Sequence, residues 1–563
     1  MNTKKIALSR TDIPMRPGEP LPAARLRNWV ALALTCGSLA LSGCAGGNGS
    51  SVVLPVGAAT GPSAEGSPAQ TYANTIPPGQ VDAAIARIDE LAEEMMRRSN
   101  VPGMAVAVVK DGRTVYAKGF GVRRVGSPEP VDADTVFQLA SMSKSIGATV
   151  VAGLVGRNVV SWNTPVADKL PGFMLSDDWI GRNVTIGDFY AHRSGLSKSV
   201  GDQLEDLGYG RQEVLQRFRY VPLEGFRTHY AYTNFGLTAG AEAAAVASGL
   251  DWATLSERTL YQPLGMASTS SRFADFMQRG NRATPHVMRN GSYQPLYQRQ
   301  PDAQSPAGGV SASVNDVARW MAMVLQNGSH EGRPLIKPEA LLPAISAQMV
   351  STPSSSSNTR ASFYGYGFNV GTSPSGRVKL SHSGAFLLGA GTAFSMIPSA
   401  GVAIVTVTNA APVGAAEAMN AAFDDLVEFG RVTRDWFPAY QGLMAPLYTP
   451  EGSLAGQPPP AQPVAPLGDN AYLGTYANSY YGNAVVEAGA AGMVLKMGPG
   501  GIRAFPLRHW SGNTFVIDLS GENAEPGSVS KIDFTPGPSG LAASVQMEYY
   551  AQDLAHGVFT RSP

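Results

Sequence analysis

The chain has 563 residues, too many for one ordinary core, so two folded units with linkers are the expected organisation. Its 43 Lys and Arg balance its 43 Asp and Glu, and no basic tract interleaves with aromatics, which argues against a nucleic-acid partner. The two cysteines, Cys36 and Cys44, both fall in the N-terminal stretch, leaving no disulfide framework and no thiol chemistry for the rest.

Lys4, Lys5, Arg10, Arg16, Arg25 and Arg27 precede an apolar run from Trp29 to Leu41 that ends in Leu41-Ser42-Gly43-Cys44. That is the pattern of an export signal over residues 1–44, similar to a bacterial lipobox with Cys44 as the lipidated residue. The apolar run is short for a membrane span. The expectation is an exported lipoprotein, periplasmic or outer-membrane anchored, meeting the membrane through that lipid alone. Residues 45–78, rich in Gly, Ser, Ala and Pro, read as a flexible tether.

From residue 79 the pattern is globular. Val81, Ile85, Ile88, Leu91 and Met95 fall at helical spacing up to Asn100. Met104–Lys110 and Thr114–Phe120 are strand-like runs joined at Asp111-Gly112, a hairpin signal. A helix follows Ser141, carried by Ile146, Val150 and Leu154, and Thr185 to Asp188 has capping-box form. An Ala-rich helix follows Asn234, and another is capped by Ser313 and Asp316. Strands are expected at Tyr366–Val370, Arg377–Ser383, Gly391–Ile397 and Val402–Thr408, then a closing helix over Ala416–Phe429. The fold class is therefore α+β: one antiparallel sheet built from both ends of residues 79–440, flanked by helices, with a helical lobe inserted. A Pro-rich linker over 441–467 leads to a small all-β, barrel-like unit over 468–563 with six candidate strands.

Chemistry concentrates at three places. Ser141 and Lys144 are one helical turn apart, so the amine can activate the hydroxyl as a nucleophile. The same S-x-x-K pattern at Ser528–Lys531 borders a strand, where i and i+3 face opposite ways, and reads as chance. Of four Y-x-N matches, only Tyr232-Thr233-Asn234 lies in the same unit as Ser141, offering a phenol for proton transfer and an amide for a substrate carbonyl. His382-Ser383-Gly384-Ala385 ends a strand, where a glycine admits a substrate backbone and the next N–H can enter an oxyanion hole. The seven histidines form no H-E-x-x-H and no pair at helical ligand spacing, so neither metal nor other cofactor is expected.

Ser141-x-x-Lys144, Tyr232-x-Asn234 and His382-x-Gly384, in that order, resemble the three motifs of the serine β-lactamase and penicillin-recognising family. The match is best to its class C β-lactamase, D-aminopeptidase, DD-carboxypeptidase and esterase branch. His192-Arg193-Ser194-Gly195-Leu196, Pro263-Leu264-Gly265-Met266, Pro306 to Val310 and Thr408-Asn409 support it. The tail from Tyr472 resembles a small lipocalin-like domain. The resemblance implies an acyl-enzyme on Ser141, with Lys144 and Tyr232 as proton partners whose order the sequence leaves open. Asn234 would position the substrate amide, the backbone N–H groups of Ser141 and Ala385 would form the oxyanion hole, and Asn409 would border the site. Where β-lactamases carry Lys-Thr-Gly this chain has His382-Ser383-Gly384, and a histidine is mostly neutral at pH 7. That favours small-molecule esters, amides or D-amino-acid peptides over β-lactams. The alternatives are a class C-type β-lactamase and a non-catalytic penicillin- or peptidoglycan-binding envelope protein. Natural substrate and oligomeric state stay open.

Overall fold

A computed structural model describes residues 75–551 and 557–563, so Cys44, the export signal and nearly all of the tether lie outside the described residues. Eight strands form the main sheet: β1 (Gly103–Lys110), β2 (Arg113–Gly121), β3 (Met349–Thr352), β4 (Ser362–Tyr364), β5 (Asn369–Thr372), β6 (Val378–Phe386), β7 (Ala390–Ile397) and β8 (Val402–Thr408). Their order is β2-β1-β8-β7-β6-β5-β4-β3, antiparallel throughout. The two ends of the unit meet where β1 pairs β8, from Met104 opposite Thr408 to Lys110 opposite Val402. Asp111 and Gly112 both take positive φ, as the tight hairpin between β1 and β2 requires.

β1 explains the layering. Met104 to Val109 is an unbroken apolar run because both faces are covered. Met104, Val106 and Val108 join the core under the helices Ile88–Ser99 and Ala415–Phe429, while Ala105, Ala107 and Val109 join the core that holds the helices Ser143–Gly156 and Val314–Leu325. Helices therefore cover both sides of the sheet, and the inserted lobe lies on the second.

The N-terminal helix expected up to Asn100 is broken into Gln80–Ile85 and Ile88–Ser99. The strand expected at Tyr366–Val370 begins only at Asn369. Gly367 takes a φ of +77°, and a side chain at Gly365 would strike the Ala344 carbonyl at 2.2 Å, so this stretch turns before it extends. β3 and β4 are short and half-exposed, with no alternation to betray them.

After the closing helix a further one, Trp436–Met444, buries Phe437, Tyr440 and Met444, so the Pro-rich stretch begins inside packed structure. Beyond it nine antiparallel strands run from Gly474 to Arg561. The outermost two, Arg503–Pro506 and Arg508–Ser511, are separated only by Leu507, so the sheet curls into a nearly closed barrel. These two and Val558–Arg561 are the short strands missing from the six expected ones. Lys531 of the second S-x-x-K pairs with Asp533 on a barrel strand, and the Ser528 hydroxyl bonds the Glu525 carbonyl, so that pair does no joint work.

Candidate active site

Ser141 lies in a single turn of tight helix, Ala140–Met142, that runs directly into the buried helix Ser143–Gly156. Ala140 takes a φ of +48°, uncommon for a residue with a side chain, at the bend that delivers the serine to the cleft. The turn is tied down on both sides: the Thr392 hydroxyl on β7 donates to the Leu139 carbonyl at 2.8 Å, and the Val310 N–H donates to the Ser143 hydroxyl at 2.9 Å. Ser141 itself stays partly exposed while Ala140 and Met142 are buried.

Lys144 is wholly buried. Its Nζ is 3.0 Å from Ser141 Oγ, 2.7 Å from Asn234 Oδ1 and 2.9 Å from the Ala307 carbonyl oxygen. Burial pulls its pKa down to about 7, against a smaller upward pull from the charge of Asp202. A neutral amine donates its two N–H groups to the two carbonyl oxygens, which turns its lone pair toward the remaining neighbour, the Ser141 hydroxyl.

Asn234 opens the helix Asn234–Ser248. Its Nδ2 donates to both oxygens of the buried Asp202 carboxyl at 3.2 Å each, which fixes the amide with its carbonyl toward Lys144. Both ends of the side chain are thus engaged inside the protein, so Asn234 is a partner of Lys144 and not a free donor for a substrate amide. Burial and Glu205 push the Asp202 carboxyl up to about 8.

Tyr232 is buried beside this pair, its ring 4.7 Å from Lys144 Nζ and its hydroxyl toward Ser141. Burial raises its pKa, so the phenol stays protonated, with the neighbouring Ser141 hydroxyl acting weakly against that. The segment His192–Leu196 supports the ring. His192 stacks against Tyr232 at 4.5 Å, its Nδ1 accepts from the Thr233 N–H at 3.3 Å, and its carbonyl accepts from the Ala231 N–H at 2.9 Å. Arg193 and Arg227 both clamp the fully buried Asp188, which also closes the Thr185 capping box.

His382 is placed otherwise than a substrate contact needs. It is fully buried, and burial with the nearby Lys144 drives its pKa down to about 3, so it is neutral. Its Nδ1 lies 2.7 Å from the Ser383 carbonyl, which requires the proton on Nδ1, so Nε2 accepts from the Tyr364 hydroxyl at 2.8 Å. His382 is a packing support for the strand end and the tyrosine cluster. Gly384 is where β6 meets the serine: a Cβ there would lie 2.2 Å from the Leu139 carbonyl, 2.4 Å from Thr392 Oγ1 and 3.0 Å from the Ser141 nitrogen. Pairing with β5 stops at Asn369 opposite Ser381, so β6 runs on past its neighbour and residues 382–386 offer a free edge beside Ser141. Ala385, the partly exposed residue on that edge, follows Gly384. Asn409, by contrast, donates to the Val122 and Arg123 carbonyls at 3.1 and 3.0 Å. It clamps the loop after β2.

Two members of the network have no sequence signature. Ala307 contributes only a carbonyl, and Asp202 stands in a short helix, Asp202–Asp206, whose spacing to the motifs carries no information. The Pro306–Val310 match was the one pointer to Ala307.

The family model described as Beta-lactamase matches residues 88–428, and a model described as Domain of unknown function (DUF3471) matches residues 457–558. Unguisins hydrolase ungD' of Aspergillus campestris is 28% identical over 332 residues, 57% of this chain and 60% of that protein. Penicillin-binding protein 4 of Amycolatopsis lactamdurans is 30% identical over 251 residues, 43% of this chain and 64% of that protein. The chain thus spans less than two thirds of the length of either. Esterase EstB of Burkholderia gladioli is 26% identical over 390 residues, 62% of this chain and 96% of that protein. The octameric penicillin-binding protein homologue from Pyrococcus abyssi shares the fold, with a TM-score of 0.54 at 17% identity over 84% of this chain and 100% of that one. The matched span 88–428 holds the main sheet, both helical layers and the Ser141–Lys144 pair, and on that evidence the chain belongs to the beta-lactamase family.

Proposed function

We propose that the protein is a serine hydrolase that carries the acyl group of an ester or amide on Ser141. The observation that carries this reading is the 3.0 Å contact between the Ser141 hydroxyl and a lysine whose pKa burial has brought to about 7. Lys144, neutral and with its lone pair toward Ser141, takes the hydroxyl proton as the oxygen attacks the substrate carbonyl. The backbone N–H groups of Ser141 and Ala385 receive the oxyanion, since Gly384 lets the two strands of backbone come within van der Waals reach. Tyr232, a neutral phenol beside Ser141, hands a proton to the leaving group, and water then releases the acyl group by the reverse path. The neutral, enclosed His382 supplies no cation for a substrate carboxylate, which favours esters, amides and D-amino-acid peptides over β-lactams. Relatives named esterase and hydrolase support the same class. The lipobox-like Cys44 supports export and anchoring at the bacterial envelope, and the lipocalin likeness of the barrel rests on sequence pattern.

The test is covalent capture. Protein treated with a fluorophosphonate should gain one adduct on the Ser141 peptide, and Ser141→Ala should gain none. A panel of a p-nitrophenyl ester, D-amino-acid amides and a chromogenic cephalosporin should show the ester turned over fastest. A folded protein that forms no adduct with any acyl donor defeats the proposal.

A further inference from the structure

The barrel, whose family model carries no assigned role, reaches the edge of β6 through one side chain. Glu522, in the turn between barrel strands Thr514–Asp518 and Val529–Pro536, extends into the hydrolase unit and is almost fully buried there. Its Oε1 accepts from the Leu387 N–H at 2.9 Å and its Oε2 from the Leu388 N–H at 3.3 Å. Arg299, itself buried and packed over the Phe386 ring, stands 3.9 Å away and is fixed by Glu205 at 2.7 Å. The next residue, Asn523, bonds Asp206 at 2.8 Å, so the turn is fastened beside Glu522 as well.

β6 ends at Phe386, and Leu387 opens the turn to β7 two residues past Ala385, where its N–H and that of Leu388 both turn onto Glu522. A substrate laid along this edge with its reacting carbonyl at Ala385 has two arms. The leaving group must lie toward the proton donor Tyr232, whose ring is 6.4 Å from that of His382, at the near end of the edge. The acyl arm then runs the other way, toward Leu387. There the Glu522 carboxylate already holds the N–H that a longer acyl group would pass. Beyond Glu522 lies a cleft of about 670 Å³ between the two units, lined by Leu388, Arg299, Asp206 and Glu522 itself.

Resting on the acyl-enzyme reading above, we propose that Glu522 closes the acyl arm of the cleft, making the barrel the wall that restricts the enzyme to short acyl groups. The barrel thereby sets specificity from outside the hydrolase unit, without touching the reacting atoms.

The experiment compares kcat/KM for p-nitrophenyl octanoate and p-nitrophenyl acetate in wild type, Glu522→Ala and Glu522→Gln, all as the full chain. Alanine vacates the arm and should raise the octanoate-to-acetate ratio at least tenfold. Glutamine keeps the length of the side chain and an acceptor for the Leu387 N–H, and its ratio should stay within threefold of wild type. An unchanged ratio in Glu522→Ala overturns the proposal, and so does a Gln variant that shifts as far as Ala, because charge and not closure would then set the preference. Should Glu522→Ala not fold, Glu522→Ser vacates nearly the same volume and is read by the same ratio. Fluorophosphonate labelling of Ser141 in each variant keeps the two readings apart: an adduct with an unchanged ratio refutes closure alone, whereas no adduct in wild type refutes the acyl-enzyme.

Discussion

Replacing Asp202 tests whether the site is held together from behind. Asp202 touches no substrate; its carboxyl takes both Nδ2 bonds of Asn234, and that orientation gives Lys144 its 2.7 Å acceptor. Asp202→Ala leaves a buried NH2 group without a partner, at a cost of about 1–3 kcal/mol. Where that cost falls on the arrangement around Lys144, about 1.4 kcal/mol per tenfold converts it to a loss of about 10–100-fold in kcat/KM. Asp202→Asn supplies a carbonyl oxygen in the same place, so Asn234 keeps an acceptor and most of the loss is recovered. Because the Asp202 carboxyl is itself mostly protonated below about 8, neither variant should move the acid limb of the pH profile far. The assay is kcat/KM for a p-nitrophenyl ester from pH 5 to 10, with thermal melts alongside. Full activity in Asp202→Ala, an Asn variant no better than Ala, or an acid limb displaced far in either direction would each refute the positioning role.

In the proposed mechanism Lys144 works as the free amine, so wild-type kcat/KM should fall tenfold per pH unit below about 7 and level off above it; a flat profile down to pH 5 rules Lys144 out as the base. Gly384→Ala puts a methyl group 2.2 Å from the Leu139 carbonyl and 3.0 Å from the Ser141 nitrogen, so the serine turn must shift; kcat should drop by about 100-fold or more with a modest change in melting temperature. Asp188→Ala removes a capping box and the shared partner of Arg193 and Arg227. With both arginines partly exposed, the loss should be about 2 kcal/mol, read as a fall of several degrees in Tm together with lower kcat through the His192 segment beneath Tyr232.

What the sequence discloses and what it hides follow from the range of the interactions. The β1–β2 hairpin, the Thr185 capping box and the Ser141–Lys144 turn are local, set by residues within four or five positions, and they stand in the structure where the pattern puts them. β7 and β8 read clearly because both faces are buried and their runs are unbroken. β3, β4 and the short barrel strands are assigned by partners more than a few residues away, and their own residues carry no period. At the site, Asn234 stands in a recognisable motif, but the Asp202 carboxyl behind it is what turns its carbonyl toward Lys144. The length of the interval between Asn234 and Asp202, 32 residues, encodes nothing about their contact. Asn409 shows the converse: a motif position that the fold spends on holding the loop after β2.

The histidine at the third motif makes physical sense only with its surroundings. His192, Tyr232 and Tyr364 are buried around it, with the half-buried Tyr230 packed on Tyr364, and His382 meets Tyr364 through a hydrogen bond that a neutral imidazole accepts. A lysine ammonium in this enclosure would sit near the Lys144 amine, and its desolvation would outweigh what a tyrosine oxygen returns. The neutral histidine also leaves Lys144 free of a second cation, which helps to keep its own pKa near neutrality instead of driving it lower still. At the far end of the same edge, Arg299 packs over Phe386 and is paired with Glu205 and Glu522. In the proposed mechanism recognition along β6 therefore falls to backbone hydrogen bonds and to the space Glu522 leaves, a combination suited to an uncharged acyl group and poorly suited to a substrate that must be held by its carboxylate.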